Sequence, residues 1–151
     1  MAVLGKGTAH GACSLLHAAG TGYGASMALD LPILVRVLDK KSKRELHDED
    51  GLLPHVAEAW KNAGHEFPIE EEDMHWAVQS RIPVREGLKS SSALCVAAVR
   101  ALCDSTGTDL ELHEIVAIAV DAQIRAEITL TGSIDDTWAC ATGGWLSLIH
   151  I

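Results

Sequence analysis

The chain has 151 residues, a formal net charge of −9, and 48% hydrophobic residues with only 4% aromatics. That size and apolar content suffice for one domain with its own core and set aside a disordered chain, while the acidic balance argues against nucleic acid or an anionic membrane as the main partner. No apolar run approaches the roughly 20 residues of a membrane span, and Met1–Thr8 lacks the apolar core of a secretory leader, so a cytoplasmic protein is expected. Cys13, Cys95, Cys103 and Cys140 form no Cys-x-x-Cys pair and read as buried free thiols.

Residues 2–38 are rich in Gly and Ala and hold two apolar stretches, Ala9–Ala19 and Ala25–Leu38, the second containing the strand-like Ile33–Leu38. Between them, Gly20-Thr21-Gly22-Tyr23-Gly24-Ala25 fits the loose dinucleotide fingerprint Gly-x-Gly-x-x-Gly/Ala. That fingerprint should open a helix, whereas this one continues through Pro32 into extended chain, so a turn into a strand is the better reading. Gly5-Lys6-Gly7-Thr8 falls short of a Walker loop, because neither the upstream glycine nor the Ser/Thr after the lysine is in place.

Asp39–Gly51 mixes both signs of charge and reads as a solvated hairpin or loop with no specific ligand. Leu52–Ala63 sets Leu53, Val56, Ala57 and Trp60 at helical spacing, with Gly64 after its end. His55 and His65 share no metal-ligand spacing, and Glu70–Asp73 reads as a solvated acidic turn. Met74–Ile82 alternates loosely between apolar and polar residues, as a half-buried strand does. A helix then begins near Ser90 and is apolar nearly all round through Leu94, Val96, Ala97, Val99 and Leu102, up to Gly107. Asp109 or Thr108 is expected to cap a second helix over Leu110–Ala126.

Two stretches carry the chemistry. The first is Pro83, Val84, Arg85, Glu86, Gly87, Leu88, Lys89, Ser90, Ser91, Ser92 and Ala93. A glycine at the bend allows close backbone approach, and three serines stand where a helix begins, at the positive end of its dipole. Hydroxyls, unpaired N–H groups and Lys89 converge there, which suits a phosphate chain; an ordinary serine cap is the alternative. The second stretch, Leu130–Gly144, carries the adjacent carboxylates Asp135 and Asp136 after a Gly-Ser turn. On a helix, neighbours point roughly 100° apart, so only one can face a given site. By themselves the pair reads as a helix start or as catalytic groups.

Gly-Leu-Lys-Ser-Ser-Ser-Ala resembles the phosphate-binding motif of the GHMP kinases, and within them the archaeal-type shikimate kinases. Thr8–Leu31 resembles the opening of those enzymes, and Thr-Gly-x-x-Asp-Asp with its following Gly-Gly resembles their catalytic segment. The resemblance implies an α/β (α+β) fold, the GHMP kinase N-terminal domain with a mixed β-sheet packed by helices. It implies ATP and Mg²⁺ as cofactors, a small-molecule substrate, and phosphorylation of the 3-hydroxyl of shikimate in aromatic amino-acid biosynthesis. By the same resemblance Asp135 is the general base, Asp136, Thr21 and His10 are substrate contacts, and Ser91 is a metal ligand. An acidic ligand is expected on the helix before Asp135, where Glu127 and Asp121 are the local options. Another acceptor of the superfamily, homoserine or mevalonate, and a non-catalytic nucleotide-binding fragment are the alternatives. Kinases of this superfamily run to about twice this length, so residues 1–145 are expected to form the ATP-binding domain of a longer protein. The ending Leu-Ser-Leu-Ile-His-Ile resembles a translated sequencing adapter, which would make 146–151 a non-native tail.

Overall fold

The computed structural model describes residues 1–16, 22–44, 46–129, 134–143 and, by backbone, 146–150. Strand β1 (Val3–Leu16) pairs antiparallel with β2 (Tyr23–Leu38), with Gly7 opposite Val35 and Ser14 opposite Ser26. The far side of β2 is shared. Its second half, from Ile33, pairs with β3 (His75–Ser80), and its first half, Tyr23–Met27, pairs with β4 (Leu146–His150). Pro32 falls at the change of partner, where its missing N–H costs no ladder bond. The α/β class and the helix-packed sheet are as expected, with one correction. The sheet is antiparallel rather than mixed in every described pairing. Strands as close in sequence as β1 and β2 lack the dozen or more residues that a parallel crossover requires.

Four helices complete the fold: α1 (Leu52–Asn62), α2 (Ser90–Thr106), α3 (Leu112–Arg125) and α4 (Asp135–Thr142). Helices α2 and α4 lie on the sheet, while α1 and α3 pack beside α2. The core runs from Ile33, Val35 and Val37 of β2 to the stripe Leu52, Leu53, Val56 and Trp60 of α1 and the nearly continuous run Ala93–Leu102 of α2. Trp60 is fully buried, and its indole N–H donates to the Glu66 carbonyl at 2.9 Å, so its one polar atom is paired.

Helix α2 sits unusually close to β1, because β1 offers it glycine. A Cβ on Gly7 would lie 2.0 Å from the Ala97 carbonyl oxygen and 2.4 Å from the Ala101 nitrogen. Backbone therefore packs on backbone, and the N-terminus of α2 is held at a fixed height above the sheet. Arg100 ties the layers laterally, donating to the carbonyls of Thr8 and Ala141, each at 2.8 Å. Burial pulls its guanidinium below its ordinary value.

The cap of α3 differs from expectation. Glu111 precedes the helix, and the Glu114 carboxylate accepts from the Glu111 N–H at 2.8 Å, one leg of a capping box. Thr108 is engaged elsewhere, its hydroxyl 2.7 Å from that of Thr106 at the end of α2.

Candidate active site

The chain enters the site from β3 through the loop Pro83–Leu88. Two bonds anchor this loop. The Ile82 N–H donates to Ser80 Oγ at 3.0 Å, and the Ala12 N–H of β1 donates to the Leu88 carbonyl at 3.0 Å. The second bond falls where the β1 register shifts, between His10 and Ala12, which turns one β1 amide away from the ladder. Lys89 then caps α2 with φ 59 and ψ 36. A side chain in that left-handed region costs on the order of 1–3 kcal/mol, so the surrounding structure must hold it there. The first intrahelical bond runs from Ala93 N–H to the Lys89 carbonyl, so the amides of Ser90, Ser91 and Ser92 have no acceptor within the helix.

Lys89 also joins the two chemical stretches. Its Nζ lies 2.8 Å from Asp136 Oδ2, and each side chain is only about a fifth exposed (21% and 23%). Asp136 Oδ1 accepts from Ser14 Oγ at 3.1 Å and from Ser26 Oγ. Asp135 is 4% exposed and accepts from Ser26 Oγ at 3.1 Å. The carboxylate expected to act as the base is thus the one turned inward. Asp136 is the one that stays partly exposed and carries the cation. Ser14 and Ser26, both small and unpatterned in the sequence, escaped sequence reasoning, and only the β1–β2 register brings them side by side.

The remaining sequence candidates separate. His10 stands beside Gly143, at the end of α4 away from Asp135. Eight helical residues span roughly 12 Å, so the fold does not bring His10 to the carboxylates. Thr21 lies outside the described residues. Glu127 is exposed at φ 55, just past the cap of α3, and its carboxylate has no partner among the described residues. Asp121 is spent on Arg125, whose Nε approaches it at 2.8 Å while Nη1 reaches Glu58 at 3.0 Å. That hydrogen bond holds the Arg125 guanidinium above its ordinary value.

The charged loop 39–51 was expected to be solvated and without a ligand role. Its described residues are mostly exposed, as expected, but its end, 47–50, lies at the site. Asp48 accepts from the amides of Leu52 and Leu53 (2.7 and 3.0 Å) at the start of α1, and Asp50 Oδ2 accepts from Ser91 Oγ at 3.1 Å. A cleft opens beside Ser90, with Ile33, Val78 and Leu94 as apolar walls and His47, Glu49 and Asp50 at its rim. Ser91 and Asp50 form a hydroxyl–carboxylate pair of hard oxygens. That set fits a Mg²⁺ ion whose other positions are filled by phosphate and water, as Mg²⁺ prefers. No group of three or more His, Cys, Asp or Glu able to hold a metal alone occurs among the described residues.

Residues 54–144 match the family described as the GHMP kinases N terminal domain. The chain is 34% identical to a shikimate kinase of Thermococcus kodakarensis over 146 residues, covering 91% of this chain and 51% of that protein. It is 32% identical to a shikimate kinase of Methanothrix thermoacetophila, covering 93% and 49%. It therefore spans about half the length of the curated relatives it matches. Among solved structures, a mevalonate kinase of Methanococcus jannaschii superposes with a TM-score of 0.75 at 17% identity, over 96% of this chain and 53% of that one. A mevalonate kinase of methicillin-resistant Staphylococcus aureus gives 0.68 at 24% identity, over 92% and 50%.

Proposed function

The chain belongs to the GHMP kinases, and we propose that it forms the nucleotide-binding half of an enzyme that moves the γ-phosphoryl group of ATP to the 3-hydroxyl of shikimate. One observation carries this reading: the lysine of the phosphate loop is paired at 2.8 Å with a partly exposed carboxylate from the other chemical stretch. A cradle for phosphates and a group able to accept a hydroxyl proton are thereby within one side chain of each other.

Phosphoryl transfer needs positioning and charge neutralisation more than covalent help from the protein. The amides of Ser90–Ser92 receive phosphate oxygens at the positive end of α2. Lys89 adds charge that is shared between phosphate and Asp136 when nucleotide enters. Asp136 takes the proton of the acceptor hydroxyl as that oxygen bonds to the γ-phosphorus and the bond to the β-phosphate oxygen breaks, leaving ADP. Ser14 and Ser26 hold Asp136 in the receiving orientation. Mg²⁺, held through Ser91 and Asp50, would supply further neutralisation of phosphate charge. The cleft beside Ser90 offers apolar walls to the nucleobase.

Support for shikimate as acceptor comes from the shikimate kinases at 34% and 32% identity, and the matched length favours a second reading, nucleotide binding without turnover by this chain alone. An ADP-release assay with shikimate, homoserine and mevalonate separates these. Asp136→Asn should abolish turnover and leave ATP affinity within about threefold, whereas Lys89→Ala should weaken ATP. Full turnover by Asp136→Asn would remove Asp136 from the base role. ATP binding with no acceptor phosphorylated would establish the half-domain reading.

A further inference from the structure

Three buried polar side chains from three helices form a hydrogen-bonded chain that this reaction scheme leaves unused. Ser92 (5% exposed) donates from Oγ to Gln123 Oε1 at 2.8 Å. Gln123 (7%) donates from Nε2 to the Ala119 carbonyl at 3.1 Å and to Thr137 Oγ1 (1%) at 2.9 Å. The Ala119 carbonyl can only accept, so it fixes which end of the amide is nitrogen. Every side-chain polar atom in the set is paired, as a buried network must be to avoid costing stability.

The placement of its ends is what gives the network a function. Ser92 directly follows Ser91 in the first turn of α2, and Thr137 directly follows Asp136 in the first turn of α4. One amide on α3 thus sets the distance between the two helix starts that carry Lys89 and Asp136. It also turns the Ser92 hydroxyl inward, which leaves Ser90 and Ser91 as the outward hydroxyls of the phosphate turn. The pattern demands glutamine. A carboxylate in its place would set a third acceptor against the Ala119 carbonyl, and a hydrocarbon would leave two buried hydroxyls to find new partners.

We propose that Gln123 is a positioning residue, which holds Lys89 opposite Asp136 by bracing Ser92 of α2 against Thr137 of α4. This rests on the reading of Lys89 and Asp136 given above, but it can be tested without nucleotide. The coupling between those two side chains is measured by a double-mutant cycle, Lys89→Met with Asp136→Asn, on urea unfolding of the full chain, in the natural background and again with Gln123→Met. A merely structural glutamine would lower stability and leave the coupling as it was. The expected result is a coupling reduced by at least half in Gln123→Met, with cooperative unfolding retained. Thr137→Val, which cuts the α4 leg alone, serves if Gln123→Met does not fold and should reduce the coupling likewise. An undiminished coupling in the folded variant overturns the proposal. Titration with Mg·ATP adds a second arm: Gln123→Met should weaken binding about tenfold, the usual consequence of losing one well-placed buried hydrogen bond. Failure of the natural chain to bind ATP would sink the nucleotide reading, while the coupling cycle would still decide the role of Gln123.

Discussion

Gly7→Ala is the sharpest test of how the phosphate turn is held in place. The added methyl carbon would sit 2.0 Å from the Ala97 oxygen and 2.4 Å from the Ala101 nitrogen, both backbone atoms of α2. No rotamer relieves that overlap. Restoring ordinary contact requires α2 to retreat from β1 by about 1 Å or more, and a gap of that size forfeits roughly a quarter to a half of the dispersion attraction of the atoms along it. The buried face from Ala93 to Leu102 would loosen together. Overpacking of this kind costs about 1–3 kcal/mol, and a clash with backbone belongs at the upper end. For a chain near 150 residues that is a fall in melting temperature of roughly 6–12 °C. Circular dichroism melts should be run beside Thr8→Ala, whose exposed side chain predicts a change within about 0.5 kcal/mol. The sign decides the matter. Restricting the unfolded chain alone would make Gly→Ala stabilising by about 0.4–1 kcal/mol. If Gly7→Ala melts at or above the natural chain, the close approach of α2 to β1 is refuted, and with it the explanation of how Lys89 is set at its height over the sheet.

The cysteines give a chemical check on the core. Burial pushes the Cys95 and Cys140 thiols far above their ordinary range and the Cys103 thiol up to about 11. Because only the thiolate reacts, Cys103 labelling by a disulfide reagent should keep climbing, by about tenfold per pH unit between pH 8 and 10, and a plateau below pH 9 would contradict the burial. Cys95 and Cys140 should label only in denaturant; their rapid reaction in the folded protein would mean the α2–α4 contact is open. At the start of α3, Glu114→Ala removes the carboxylate that satisfies the Glu111 amide and should cost about 0.5–1 kcal/mol in urea unfolding, with no loss of ATP affinity.

Much of the architecture is legible in the residues alone. The 3.6-residue spacing of Leu53, Val56 and Trp60 marks α1, the alternation of Met74–Ile82 marks β3, and the apolar run after Ser90 marks α2, because these patterns express burial by the element itself. The phosphate turn at Lys89–Ser92 belongs with them, since glycine, lysine and serines at a helix start are a local device. What the local pattern lacks is orientation. Asp135 and Asp136 are identical side chains one residue apart, and only the packing of α4 onto β1 and β2 turns the first beneath Gly24 and Ser26 and the second toward Lys89. Gln123 reads in sequence as a polar residue on the rim of an apolar stripe. It becomes a brace only when three helix ends meet around it. The same holds for Asp50, one of many charges in its loop until the fold sets it against Ser91. Sequence determined which residues form the elements and the phosphate turn, through periodicities written into each segment. Tertiary structure alone decided which carboxylate pairs with Lys89 and what holds it there, because those contacts join positions up to 122 residues apart.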